Sequence, residues 1–401
     1  MATSSKEERD ASDWDAMPDE EFRRHIQDFV QTHCPADLRF MSRRPSWSEA
    51  KPWYMALSSG GLLAPGWPVE YGGMGLTAGK HLLMMEELER GGAPWLMDSG
   101  IRNLGPVLIN RGTPAQRAEY MPRMLAGDHV WCQGYSEPGA GSDLASLRTR
   151  ASMDGDHLVI QGHKIWTTSA NDATHMFALV RTDPAAKRKQ EGISFVLLEM
   201  KQPGIRIRPI PNLAGHVDFY EVLLEGARTH RRNVVGPLHQ GWEVARSQLG
   251  FERIWAGTPR RAWKALLRLE QVALSRGCFS DPAFRDRFTQ VQFDVLDGEA
   301  LYERHVDKLK KGEAVGAEVS ALKIWATEVF QRVSELLMET AGSLGGLQGE
   351  LEIGDQRLNV LMPFYEARTP TIFAGTSEVH RNLIARSVLG LPGERAGSKV
   401  S

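Results

Sequence analysis

The apolar residues of this chain change their spacing twice, near residue 129 and again near residue 241, and that double switch constrains the fold more than any other feature. Up to about residue 128 they recur at helical intervals. PDEEFRRHIQDFVQTH puts acids in its first turn and sets Phe22, Ile26, Phe29 and Val30 on one stripe. TAGKHLLMMEELERGG begins at Thr77 and ends at a Gly pair, while Thr113-Pro114 supplies an N-cap and a Pro at the first helical position of a helix that Gly127 closes. Between these helices GLLAPGWPVEYGGMG is a loop dense in Gly and Pro.

From residue 129 the period shortens to that of a strand. HVWCQGYS, SLRTRASM, HLVIQGHKIW, MFALVRTD, GISFVLLEM, IRIRPI and VDFYEVLLEG read as short strands, with Asp154-Gly155 as a hairpin signal, and they suggest a barrel or sandwich. After Gly241 the helical period returns over 241–275, 284–311 and 313–341, with shorter helical stretches to about 389 interrupted at AGSLGGLQG. Long helices with short connections predict a helical bundle. The expected fold is therefore mostly α with a central β domain. An N-terminal helical domain covers 1–128 with 1–18 flexible, a middle β domain 129–240, a C-terminal bundle 241–391, and a tail 392–401.

Composition removes several function classes. A chain of 401 residues with 42% hydrophobic and 24% charged residues has the make-up of a globular protein of two or three structural units. A net charge of −2 disfavours nucleic acid or an anionic membrane as the main partner. No apolar run approaches the roughly 18 residues of a membrane span. The polar, acidic start lacks the apolar core of a secretory signal and is too acidic for an organellar transit peptide, so a cytoplasmic protein is expected. Cys34, Cys132 and Cys278 are far apart and odd in number, which reads as buried thiols in a reducing compartment. No CxxC or HxxxH spacing points to a metal.

Four stretches have the residue types for chemistry, and each also has a plain structural reading. YSEPGAGSDLAS (135–146) offers Ser136, Gly139, Gly141 and Ser142, whose N–H groups and hydroxyls suit a phosphate or a flavin edge; otherwise it is a surface turn. GHKIWTTSANDA (162–173) puts Trp166 at a strand end, fit to lie against an aromatic cofactor with Thr167 or Thr168 donating to its edge; otherwise Trp166 is core. WEVARSQLGFERIWAG (242–257) sets Glu252 among apolar neighbours, an environment that pushes a carboxylate toward the basicity a general base needs; otherwise Glu252 and Arg253 are structural. In TIFAGTSEVHRN (371–382) a β-rich run breaks at Gly375, and Thr376 or Ser377 caps a helix whose first N–H groups can receive a phosphate; otherwise it is an ordinary capped helix.

The order and spacing of EPGAGSD, GxKxWTT, GW…ER and GTSEVxRxxIAR, with GW…EYGGMG before them, resemble the acyl-CoA dehydrogenase family over about residues 20–391. The resemblance implies an N-terminal helical domain, a middle β-barrel-like domain and a C-terminal four-helix bundle. It also implies non-covalent FAD, bound across a subunit interface of a dimer or tetramer. The implied reaction oxidises an acyl-CoA thioester to the trans-2-enoyl-CoA, with an α-proton taken by a base, a β-hydride passed to flavin N5, and electrons handed to an electron-transfer flavoprotein. Tyr135 and Ser136 match the segment at the flavin pyrimidine edge, and Gly141 and Ser142 the turn by the flavin and the pantetheine arm. Trp166 matches the indole beside the isoalloxazine, and Thr168 the hydroxyl near N5. Thr376 and Glu378 match contacts to the FAD phosphates or ribose, and Arg253 and Gly375 match positions near the substrate.

Many family members carry the base in an EGT loop, where this chain has Ala374-Gly375-Thr376. Others carry Glu before an Arg on the bundle helix, and Glu252-Arg253 matches that pattern, leaving Ala374 to offer its backbone N–H to the thioester carbonyl. Two features depart from the family: SRGCFSDPAFRDRF lacks the RxxFG whose Arg reaches a neighbour's FAD, and Glu339 stands where Gln precedes the Gly-Gly turn. QGYSEPGAGSDLASLRTRA, with the first departure, resembles a subset acting on bulky or dicarboxylic acyl-CoAs, some of which pair with a second, related subunit. A flavin oxidase or monooxygenase and one subunit of a heteromer are the alternative readings.

Overall fold

The computed structural model describes residues 12–392 except 42, 95, 97, 247–256, 314 and 355. It divides into two compact units, Met1–Gln248 and Leu249–Ser401.

The first unit opens with helices α1 (Ser12–Ala16), α2 (Asp19–His33), α3 (Trp47–Ser59), α4 (Ala78–Arg90), α5 (Gly105–Arg111) and α6 (Pro114–Leu125). Their termini follow the capping residues. Thr77 accepts from the Lys80 N–H at the start of α4, and Ser46 and Thr113 form reciprocal capping boxes with Glu49 and Gln116. The α2 stripe buries Phe22, Ile26 and Val30, with Phe29 packed beside them. Buried Asp98 ties these helices to the first strand: it accepts from the Tyr54 hydroxyl at 3.0 Å and from the Gly100 and Trp131 N–H groups at 2.9 Å each.

Eight strands follow: β1 (Trp131–Gly134), β2 (Arg150–Asp154), β3 (His157–Thr168), β4 (His175–Arg181), β5 (Ile193–Glu199), β6 (Ile205–Pro211), β7 (Val217–His230) and β8 (Val234–Val235). They form one sheet in the order β6-β7-β3-β2-β4-β5-β8, with β1 parallel to β4. β4 and β5 are buried along nearly their whole length, because one face packs on the helices and the other on the sheet's own core of Cys132, Met176, Val196 and Leu224. The β2–β3 hairpin pairs Asp154 with His157, so its two-residue loop is Gly155-Asp156, with Gly155 at φ 59°. Helix α7 (Gly241–Arg246) closes the described part of the unit.

The second unit is built on α8 (Arg260–Ser275), α9 (Pro282–Lys310) and α10 (Val319–Ala341), followed by the hairpin β9 (Leu351–Ile353) and β10 (Gln356–Leu358), then α11 (Leu361–Arg368) and α12 (Ser377–Ser387). Helix α10 is central, packing against α8, α9, α11 and α12. Its buried Leu322, Val329, Val333 and Leu337 follow the 3.6 period.

Several expectations are corrected here. The helix expected over 241–275 is not continuous: Gly257-Thr258-Pro259 is a turn, since Pro259 lacks an N–H and biases Thr258 away from the helical region. The helix expected from 313 begins at Val319, beyond Gly316. The β9–β10 hairpin stands where helix is expected; its turn signal, Gly354 at φ 64°, sits inside a short segment of mixed period. The β-rich run expected over 371–374 forms turns and bends instead, because Pro370 and the Gly375 break leave no room for a ladder. Cys34 and Cys132 are buried thiols, but Cys278 is only half-buried. No described helix is long and apolar enough to cross a membrane.

One aromatic cluster in the first unit has a pH consequence. His129 and His175 lie with ring centroids 3.9 Å apart, against Trp131 and Tyr120. Burial lowers both pKa values, and neighbouring His129 and Arg123 help bring His175 from 6.5 to about 3. The unfolded chain therefore binds more protons below pH 6.5. The stabilisation is full above that value and drains as pH falls toward 3, by up to about 1.4 kcal/mol per pH unit for His175. Urea midpoints of wild type and His175→Gln at pH 7 and pH 5 should show the smaller acid loss in the variant; equal losses would remove His175 from the account.

Candidate active site

Two clusters of the sequence-predicted residues form, one within each unit. In the first, β1 leads through Tyr135 and Ser136 into the Gly-rich loop. The Ser136 carbonyl accepts from the Ile165 N–H at 2.9 Å, which brings the loop against the end of β3. Gly139, Gly141 and Ser142 are exposed, and a Cβ at either Gly would meet nothing within 4 Å, so the loop leaves open space in front of its backbone. The Tyr135 ring is buried, edge-on to Phe177 and Phe195.

The end of β3 is bulged. Lys164 pairs with Val222 and Thr167 with Tyr220, so β3 holds one extra residue there. Trp166 sits in that bulge at φ 59°, a left-handed value that a bulky residue adopts only where its surroundings impose it. The bulge turns the indole outward: Trp166 is 57% exposed, with the edge of Phe219 beside it, which overturns the reading of a core Trp. Thr168 is half-buried on this outer side, while Thr167 is buried and its hydroxyl meets no partner among the described residues.

Sequence reasoning missed what holds the cluster together. Lys164 is fully buried and donates to Glu137 at 2.8 Å, to the Leu179 carbonyl at 2.8 Å and to the Tyr135 carbonyl at 3.2 Å. Glu137 in turn accepts from the Arg148 and Thr149 N–H groups at 2.6 and 2.9 Å. Burial pushes the Glu137 carboxyl up, but Lys164 and these donors outweigh it and hold it below its ordinary value. The Glu of EPGAGSD is thus bolted to the Lys of GHKIWTT. No local pattern marks the pair, since Gln161, Gly162 and His163 precede Lys164.

In the second unit the TIFAGTSEVHRN segment makes a tight turn on α10. Ala374 has φ 53° and Gly375 φ 89°. The left-handed region costs a residue with a Cβ about 1–2 kcal/mol. Both carbonyls are held: that of Ala374 accepts from His380 Nε2 at 3.0 Å, and that of Gly375 from Lys323 Nζ at 2.6 Å. The Ala374 N–H meets no acceptor among the described residues. Thr376 caps α12 by accepting from the Val379 N–H at 3.2 Å, and buried Ser377 has a hydroxyl without a partner among the described residues. Thr376 and Ser377 line an open groove of about 380 Å³ with Gln331, Arg332, Thr371 and Glu378. The Glu378 carboxyl is held below its ordinary value by its own backbone N–H and the Thr376 hydroxyl. Glu252 and Arg253 lie outside the described residues.

An outward-facing indole, hydroxyls beside it and a Gly-rich loop with open space fit a planar heteroaromatic group with a polar edge. A helix N-terminus with two hydroxyls fits a phosphate or ribose. The FAD expected from the sequence suits both donor sets.

Comparison with known proteins agrees with this chemistry. Residues 18–128, 132–225 and 239–389 match the N-terminal, middle and C-terminal domains of acyl-CoA dehydrogenase. The acyl-CoA dehydrogenase IpdE1 of Mycobacterium tuberculosis is 35% identical over 392 residues, covering 94% of this chain and 99% of that protein. A solved structure described as the Tcur3481-Tcur3483 steroid ACAD is 30% identical with a TM-score of 0.85, covering 94% of this chain and 99% of that one. The ChsE4-ChsE5 complex from Mycobacterium tuberculosis is 27% identical with a TM-score of 0.80, covering 98% and 100%.

Proposed function

The chain belongs to the acyl-CoA dehydrogenase family, an FAD-dependent oxidoreductase, and from that premise we propose that it oxidises a bulky, ring-bearing acyl-CoA thioester to the trans-2-enoyl-CoA with Glu252 as base. FAD supplies the acceptor for the hydride leaving the β-carbon. Trp166 and Thr168 would hold its ring system, the indole by its apolar face and the hydroxyl as a donor. The backbone and hydroxyls of Ser136, Gly141 and Ser142 would serve the flavin and the pantetheine arm. Thr376, at the start of α12, would hold a phosphate. Glu378 stays anionic and repels phosphate, so it suits a ribose hydroxyl instead. Glu252 removes the α-proton, with Arg253 and Gly375 beside the substrate.

The observation that carries this reading is the Ala374–Gly375 turn. With both carbonyls engaged, only N–H groups are left to offer, which is what the charge developing on a thioester oxygen needs. The methyl of Ala374 cannot hold a proton, and it leaves room for a base and for a substituent near the substrate Cα.

The ring-bearing substrate is supported by likeness to the steroid ACAD. A heteromeric assembly is supported by the two-component descriptions of both related structures. Electrons leave to an electron-transfer flavoprotein. Anaerobic addition of octanoyl-CoA, isovaleryl-CoA and a CoA thioester of a steroid side-chain acid should bleach the flavin fastest with the last. Bleaching by octanoyl-CoA alone would sink the substrate assignment, and fast reoxidation by air with peroxide release would favour an oxidase.

A further inference from the structure

We propose that Lys323 and His380 are positioning residues of the dehydrogenation: they clamp the Gly375 and Ala374 carbonyls so that the Ala374 N–H is aimed at the thioester oxygen. This rests on the reading that the Ala374 N–H polarises that oxygen. Lys323 lies on α10 between Leu322 and Ile324, with no exposed surface, and its ammonium reaches across to the Gly375 carbonyl at 2.6 Å. Burying an ammonium group for a main-chain acceptor is a poor source of stability, since a Met of the same shape would fill the space without desolvating a charge. What Lys323 provides that Met would not is a fixed position for the turn.

The turn needs fixing. Ala374 is in the left-handed region, and nothing in its own side chain favours that conformation. His380 is buried on α12, and its Nε2–H donates to the Ala374 carbonyl at 3.0 Å. A Cβ at Gly375 would come within 2.9 Å of that same ring nitrogen, so the Gly is what lets His380 close on the turn. At the other end the Thr371 carbonyl accepts from the Ser377 N–H at 3.0 Å, and its hydroxyl accepts from Gln331 at 3.2 Å. Both faces of the turn are therefore anchored to α10 and α12.

Among the described residues, the charged groups acting on Lys323 are Glu378 from α12 and Glu328 from its own helix, the last also paired with Arg381 at 2.8 Å, while His380 holds the other carbonyl of the turn. Burial brings the Lys323 pKa down from 10.5 to about 8, against the pull of Glu378 and Glu328. A charged donor makes the stronger hydrogen bond, so the clamp is tight below about pH 8 and weakens above it.

The probe is acetyl-CoA labelled with ¹³C at its carbonyl, which has no β-carbon and is bound without being oxidised. In wild-type holoenzyme its carbonyl stretch, read by isotope-edited infrared difference, should move to lower frequency on binding and should move back in part as pH rises through about 8. Lys323→Met should lose at least about half of that displacement and its pH dependence, with kcat on a true substrate down roughly 10²-fold and with circular dichroism and bound FAD unchanged. His380→Asn should lose displacement too. A full, pH-independent displacement in wild type, or one retained in Lys323→Met, overturns the clamp and leaves the oxyanion reading standing. No displacement in wild type at any pH overturns the oxyanion reading and the clamp with it.

Discussion

Glu252→Gln is expected to abolish flavin bleaching by acyl-CoA while leaving FAD bound. Gln keeps the size and the hydrogen bonds of Glu but cannot take a proton, and the α-proton of a thioester is too weakly acidic to leave without a base. General-base removal typically costs about 10²–10⁴-fold in rate. The expectation is sharp because the other candidate positions are disqualified on their own grounds. Ala374 has no titratable group. The Glu378 carboxylate is held at low basicity by its own N–H and the Thr376 hydroxyl. Stopped-flow absorbance of the variant with a substrate that bleaches wild type is the measurement, and reduction at the wild-type rate would remove Glu252 from the mechanism.

The second large effect is structural. Lys164→Met should leave the buried Glu137 carboxylate without its cation, and breaking one side of such a pair costs about 3–5 kcal/mol. Melting should drop by on the order of 10 °C. Because Lys164 also holds the Tyr135 carbonyl, the loop from Tyr135 to Ser146 loosens, and purified protein should lose its yellow colour. Adding Glu137→Leu to Lys164→Met removes the stranded charge, so it should restore much of the melting temperature but little of the FAD. A single variant that melts like wild type and stays fully yellow would contradict the role given to this pair.

How far the sequence carried these arguments differs from element to element. Helix caps at Thr77, Thr113 and Thr376 were legible because one side chain and one N–H decide them locally. The strands of the middle domain were legible from their period. The outward turn of Trp166 was not, because it depends on a bulge that exists only against the register of β7. Lys164 and Lys323 were not singled out either: each looks like an ordinary surface lysine in sequence, and only the packed fold shows its ammonium group buried against a main-chain carbonyl. The β9–β10 hairpin was lost because three-residue strands are too short to display a period. The family motifs point to the proposed site residues by order and spacing, whereas the clamps around them are long-range contacts that no local pattern encodes.

The central claim, that this chain oxidises the acyl moiety of a CoA thioester, is tested most directly by anaerobic single turnover of the yellow holoenzyme with a steroid side-chain acyl-CoA, reading flavin absorbance and product mass together. The account predicts that bleaching proceeds in step with a thioester product lighter by two hydrogens, one product for each flavin reduced. A bleached flavin with unchanged thioester, or a thioester hydrolysed without any change in the flavin, would contradict it.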